Sequence, residues 1–173
     1  MDPTQLLAHL RSTAFQDLAG SHISARVPIA RALLNRIVAD LLAGKQTPVR
    51  SVDIQPRPDD QFELTVTLSV PFVPPLKVTL VVAQQPRFPE SPIMVLRWSL
   101  LGGLGAFAAK FTGALRDRLP AGIRMDGDRI VLDLPVIAEH AAADGIQLLL
   151  LFKRVELHTI ADRAVIDVDI AVP

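Results

Sequence analysis

Apolar residues along this 173-residue chain recur with two different periods. Near the start, Leu6, Leu7, Leu10, Ala14 and Leu18 step by three and four. That spacing predicts an amphipathic helix over residues 3–18, ended by Gly20. His22 to Val27 alternates polar and apolar, a short strand. Pro28 then opens a second predicted helix, at a position where a missing N–H costs nothing. This helix carries Leu33, Leu34, Ile37, Val38, Leu41 and Leu42.

From Val52 onward the period is two. Val52 and Ile54 begin a strand that PRPDD turns. Phe62, Leu64, Val66, Leu68 and Val70 then alternate with Glu63, Thr65, Thr67 and Ser69. Proline fixes φ and donates no ladder hydrogen bond, so PFVPP reads as a stiff connection. Leu76, Val78, Leu80 and Val82 mark the next strand, and Ile93 to Trp98 another. The segment GIRMDGDRIVLDL reads as a hairpin, because Asp126-Gly127 separates two alternating runs. A short helix is predicted over Val136–Ala143. Two strands close the chain, Leu148–His158 and Ala164–Val172, with Asp167 and Asp169 opposite the apolar side of the last.

Clean alternation gives each strand one wet and one dry face, which favours antiparallel sheet with a single buried side. No βαβ rhythm or internal repeat appears. The predicted class is α+β: a long, highly curved antiparallel sheet wrapped around one or two apolar helices. Residues 1–20 form an N-terminal helical piece and residues 21–173 a single domain.

One stretch does not fit a simple pattern. Trp98 to Leu115, WSLLGGLGAFAAKFTGAL, has helical apolar spacing yet four glycines, each costing about 1 kcal/mol in a helix interior. A helix over residues 99–118 puts Gly105, Ala109 and Gly113 on one small-residue stripe. Leu100, Leu104, Phe107, Phe111 and Leu115 form a bulky stripe beside it. The small stripe permits close backbone packing, or leaves room for an acyl chain, and the leucines suit transient contact with a membrane surface.

Composition narrows the chemistry. Half the residues are hydrophobic, and mean hydropathy is +0.34, yet no apolar run reaches the roughly 18–20 residues of a spanning helix. Eighteen basic residues balance eighteen acidic ones, and aromatics are few, so nucleic acid is not an expected partner. With no cysteine, thiolate catalysis, disulfides and cysteine metal sites are excluded. The start MDPTQLLAHLRSTAF lacks a signal-type apolar run. Taken as native it predicts a cytoplasmic protein, and a periplasmic one if a leader had been removed.

Motifs for catalysis are absent. His9, His22, His140 and His158 show no metal-ligand spacing, and Gly102-Gly103-Leu104-Gly105 lacks the lysine of a phosphate loop. Asp59-Asp60 and Asp126/Asp128 read as turn residues. The arginines at 116, 118, 124 and 129 read as a solvated helix end, with contact to an anionic head group as the alternative. No metal and no cofactor is expected.

The layout resembles the tubular lipid-binding (TULIP) superfamily in its small single-domain bacterial forms. The resemblance rests on element order over residues 21–173: a helix of the VPIARALLNRIVADLL kind, long alternating strands, a helix running into LPAGIRMDGDRIVLDL, a short helical piece and two closing strands. It implies a non-enzymatic protein that binds or transports a lipid or fatty-acid-like ligand in a groove between helix and curved sheet. Candidate lining residues are Leu33, Ile37, Leu64, Val66, Leu68, Leu80, Leu104, Phe107 and Phe111. The alternative is a structural or interaction module whose excess apolar surface forms a homo-oligomer or partner interface. A third class, a helix-grip enzyme, needs a buried polar cluster that the sequence does not show; loss of a turnover activity on mutating Glu139, His140 or Asp144 would point to it.

Overall fold

The computed structural model describes residues 19–43, 49–70, 73–101, 119–141 and 145–172. The predicted helix over 3–18 lies outside them, as do residues 102–118 of the glycine-rich stretch. The described elements are β1 (His22–Ala30), α1 (Arg31–Leu42), β2 (Val49–Arg57), β3 (Gln61–Leu68), β4 (Leu76–Gln84), β5 (Ile93–Leu101), β6 (Ile123–Asp126), β7 (Arg129–Asp133), α2 (Leu134–Ala141), α3 (Gly145–Leu150), β8 (Phe152–Ile160) and β9 (Arg163–Ala171). The class is α+β with antiparallel strands throughout. The strands divide into a three-stranded sheet, β1-β9-β8, and a six-stranded sheet, β2-β3-β4-β5-β7-β6.

The six-stranded sheet meanders from β2 to β5 and adds the β6–β7 hairpin through β7, with turns that follow from residue type. Asp59 and Asp60 adopt φ of 64° and 56° between β2 and β3, a left-handed conformation aspartate tolerates better than most residues. Gly127, at φ 58°, turns β6 into β7 as the Asp126-Gly127 pair predicts. The small sheet pairs the first described strand with the last. β1 pairs with β9 over nine residues, from His22 opposite Ala171 to Ala30 opposite Arg163, and β9 forms a hairpin with β8.

Several boundaries differ from the sequence reading, three of them instructively. Pro28 is a strand residue, not a helix start, and α1 begins at Arg31. Ladder alternation turns the main-chain groups of Pro28 away from β9, so its missing N–H removes no bond to that strand. The first helical N–H, of Arg31, is instead bound by the Asp162 carbonyl at 3.0 Å. Residues Ser99–Leu101 belong to β5 rather than to a helix, since Leu100 and Leu101 complete the ladder opposite Val78 and Lys77. Leu148–Leu150 is helical, because an unbroken leucine run carries no period and leucine is a good helix former.

One core cluster lies on one face of the large sheet, while Ala164, Val165 and Val172 are buried at the small sheet. Val66, Leu68 and Leu76 are buried together, with Val49, Val52, Leu64, Val73, Val78 and Leu100 packed against them. Helix α1 lies along β2. Leu34, Val38 and Leu42 are its half-buried apolar positions, whereas Leu33 and Ile37 are exposed.

Candidate functional site

The register of the large sheet assembles one apolar face from all six strands. Ile54, Leu64, Val78 and Leu100 stand in one cross-strand row, and Pro56, Phe62, Leu80 and Trp98 in the next. The face continues through Leu96, Ile130 and Met125, then Met94, Leu132 and Ile123. The opposite face of β2–β5 carries Asp53, Glu63, Thr65, Lys77, Thr79, Arg97 and Ser99. Alternation in the sequence thus becomes a two-faced sheet. On the apolar side Phe62, Val66, Leu68, Leu76 and Met94 are buried, while Leu64, Val78, Leu80, Leu96, Trp98 and Leu100 are only half-buried.

Trp98, the only tryptophan of the chain, is fixed by its indole N–H donating to the Gly127 carbonyl at 3.1 Å. Where α1 ends and β2 begins, a concavity of about 200 Å³ is lined by Ala39, Leu42, Ala43, Val49, Arg50, Ser51 and Val52. Val49 and Val52 are also neighbours of the Val66–Leu68–Leu76 core, so this concavity abuts it.

The free edge of β2 is closed by a side chain. The Asn35 carboxamide on α1 accepts from the Ile54 N–H at 2.6 Å and donates to the Ile54 carbonyl at 3.1 Å, as a neighbouring strand would. Arg31 and Asn35 also donate to Asp53. Covering an edge in this way blocks unwanted strand addition.

The small sheet presents a charged face. Arg26 donates two bonds to Asp167, at 2.7 and 3.0 Å. Ser24 and Arg154 both donate to Asp169, at 2.6 and 2.7 Å. The bonds from Arg26 hold the Asp167 carboxyl below its ordinary range, against the opposing effect of burial. Asp169 is lowered likewise, first by Ser24 and then by Arg154. These groups border a shallow concavity of about 290 Å³. Every acid in it has a basic or hydroxyl partner, which describes a satisfied network. Among the described residues, no group of three His, Asp or Glu side chains is arranged to hold a metal ion.

Of the nine residues predicted to line a ligand groove, Leu64, Val66, Leu68 and Leu80 share the apolar face of the large sheet. Leu33 and Ile37 stand apart from it, 47% and 45% exposed on α1. Leu104, Phe107 and Phe111 lie outside the described residues. Of the Glu139, His140 and Asp144 candidates, His140 bonds the Val136 carbonyl of its own helix at 2.8 Å, and Asp144 lies outside the described residues. Sequence reasoning placed Val78 on the inward side of its strand but missed Pro56, Leu100 and Trp98 as members of the face, although their alternation was the available signal. The Arg26–Asp167 pair spans 141 residues, and nothing local announces it.

Comparison with protein families, with curated proteins and with solved structures finds no match to this chain. No helix among the described residues is long and apolar enough to cross a membrane.

Proposed function

We propose that this protein binds a long apolar ligand, of the lipid or fatty-acid kind, along the apolar face of its six-stranded sheet. One observation carries the reading: large side chains that form a continuous face over β3, β4 and β5, among them Leu64, Val78, Leu80, Leu96 and Trp98, remain half-buried. Apolar-ligand sites need mainly a lined surface with few polar groups, and this face supplies one. The concavity beside Leu42, Val49 and Val52 is smaller than the about 300–1,000 Å³ of ordinary small-molecule sites. It suits the end of a chain rather than a whole ligand. Supporting the tubular lipid-binding resemblance is the element order: helix, long antiparallel strands, hairpin, short helices and two closing strands.

Native mass spectrometry of gently purified protein tests the reading. A stoichiometric adduct that extracts as a fatty acid or phospholipid is expected. A clean apo mass that persists after incubation with oleate and with phosphatidylcholine vesicles refutes it.

A second reading, a module that associates through apolar surface, is favoured by Leu33 and Ile37, which stand one turn apart and exposed on α1. Light scattering separates the two. A mass that rises with concentration and returns to the monomer in Leu33→Glu supports association, and a constant monomer mass removes it.

A further inference from the structure

Each sheet is held internally by backbone ladders, but the joint between them is built differently. Among the described residues, no strand lies beside the edge of β8 that faces the large sheet. Its Leu157 N–H donates to the Gln85 side-chain oxygen at 3.0 Å, and the Gln85 amide nitrogen donates back to the Leu157 carbonyl at 2.7 Å. Two residues on, the Thr159 N–H donates to the Asp60 carboxylate at 3.0 Å, and the Thr159 hydroxyl accepts from the Gln61 N–H at 2.8 Å. Among the described residues, backbone-to-backbone bonding across the seam appears only beyond the end of β8. There Asp162 donates its N–H to the Pro56 carbonyl at 3.1 Å and accepts from the Arg31 N–H at 3.0 Å. Helix α1, which follows β1 directly, is tied to β2 at that same end through Arg31 and Asn35.

The seam is therefore graded. Its Asp162 end is anchored by main chain and by α1, and its Leu157 end by side chains alone, the Gln85 carboxamide foremost. The ring pair Phe88–Phe152, with centroids 6.1 Å apart, lies further in the same direction. The cluster around Val66, Leu68 and Leu76 contains no residue of the small sheet, so that cluster does not bind the two together.

We propose that the seam is a hinged joint: the small sheet swings about the Asp162–Pro56–Arg31 corner, and the Gln85 carboxamide is the latch that closes it on Leu157. A side-chain bond at a partly exposed position exchanges with water at small net cost, whereas a nine-residue ladder opens only cooperatively. Opening at Leu157 leaves both sheets intact. The device is independent of what the apolar face binds.

Amide hydrogen exchange read by NMR tests this, because neighbouring amides of β8 point opposite ways. Glu156 and His158 face Asp167 and Val165 of β9, while Leu157 and Thr159 face the seam. In the wild-type protein the Leu157 amide is expected to exchange at least about tenfold faster than those of Glu156 and His158, with Thr159 between them. In Gln85→Ala, Leu157 is expected to lose about a further tenfold of protection while Glu156 and His158 keep theirs. Leu157 exchanging in step with Glu156 and His158 in the wild type overturns the proposal. So does a Gln85→Ala protein in which Leu157 is unchanged, or in which all β8 amides lose protection equally.

Discussion

Replacing Leu76 by alanine isolates where this fold keeps its stability. Leu76 is only 2% exposed and packs with Val66 and Leu68. Leu→Ala at a buried site costs about 2–5 kcal/mol, the transfer term plus the cavity left behind. The sheet around Leu76 is cross-linked by ladders on both sides, which limits collapse into the void, so about 3 kcal/mol is expected. The matched control is Leu33→Ala on α1. Roughly half of that side chain is already in water, and alanine is the better helix former, so a loss of about 0.5 kcal/mol is expected. For a chain of this length 1 kcal/mol moves the melting temperature by about 2–4 °C. Thermal unfolding followed by far-UV circular dichroism should therefore show a drop of about 6–12 °C for Leu76→Ala and about 1–2 °C for Leu33→Ala. Equal losses, or a larger one at Leu33, would refute a core built on the sheet face and would bury the outer side of α1.

Other expectations follow from the same contacts. Asn35→Ala leaves the Ile54 N–H and carbonyl without their partner at a part-buried edge, so a loss of about 1–3 kcal/mol in urea unfolding is expected, with Asn35→Gln failing to restore it. Gly122 has φ of 82°, and a Cβ there would stand 2.8 Å from the Ile137 side chain and 2.9 Å from its backbone nitrogen. Gly20 has φ of 76° and open space around it. Gly122→Ala should therefore destabilise clearly more than Gly20→Ala, which carries only about 1 kcal/mol of backbone strain. Asp167 and Asp169 ionise more readily folded than unfolded, so the unfolded chain binds more protons in acid. Their contribution is complete above the unfolded aspartate value of about 3.9 and is lost as pH falls through the lower folded values. Asp167→Asn should flatten that acid limb of stability against pH, and an unchanged limb would contradict the assignment.

Strand alternation was legible in the sequence wherever it faced one core. β3, β4 and the β6–β7 hairpin lie where period two and turn residues put them. What alternation does not encode is which strands meet. The pairing of β1 with β9 joins residues about 140 apart, and the separation into two sheets depends on it. Helix boundaries failed where local preference gave way to the sheet. Pro28 reads as a helix start, yet an edge strand accepts it equally well, and the register with Val165 decides. Leu33 and Ile37 read as groove-lining because they share helical spacing with Leu34 and Val38. An apolar stripe this wide cannot all face one strand, and α1 meets β2 with only part of it. Of the candidate site, the β3 and β4 members were legible from alternation. The partners Asn35, Asp60 and Gln85 were not, because a carboxamide or carboxylate that completes a strand edge carries no periodic signature.

The lone tryptophan gives the most direct test of ligand binding on the large sheet. Trp98 stands opposite Leu80 on the apolar face, and fluorescence from any other position is ruled out by composition. Titration with dibrominated stearate, whose bromines quench indole at short range, should quench Trp98 saturably at about one ligand per chain. Unbrominated stearate should reverse the effect by competition. If dibrominated stearate binds, as judged by mass spectrometry, and leaves Trp98 emission unchanged, the ligand lies elsewhere and the apolar-face account is contradicted.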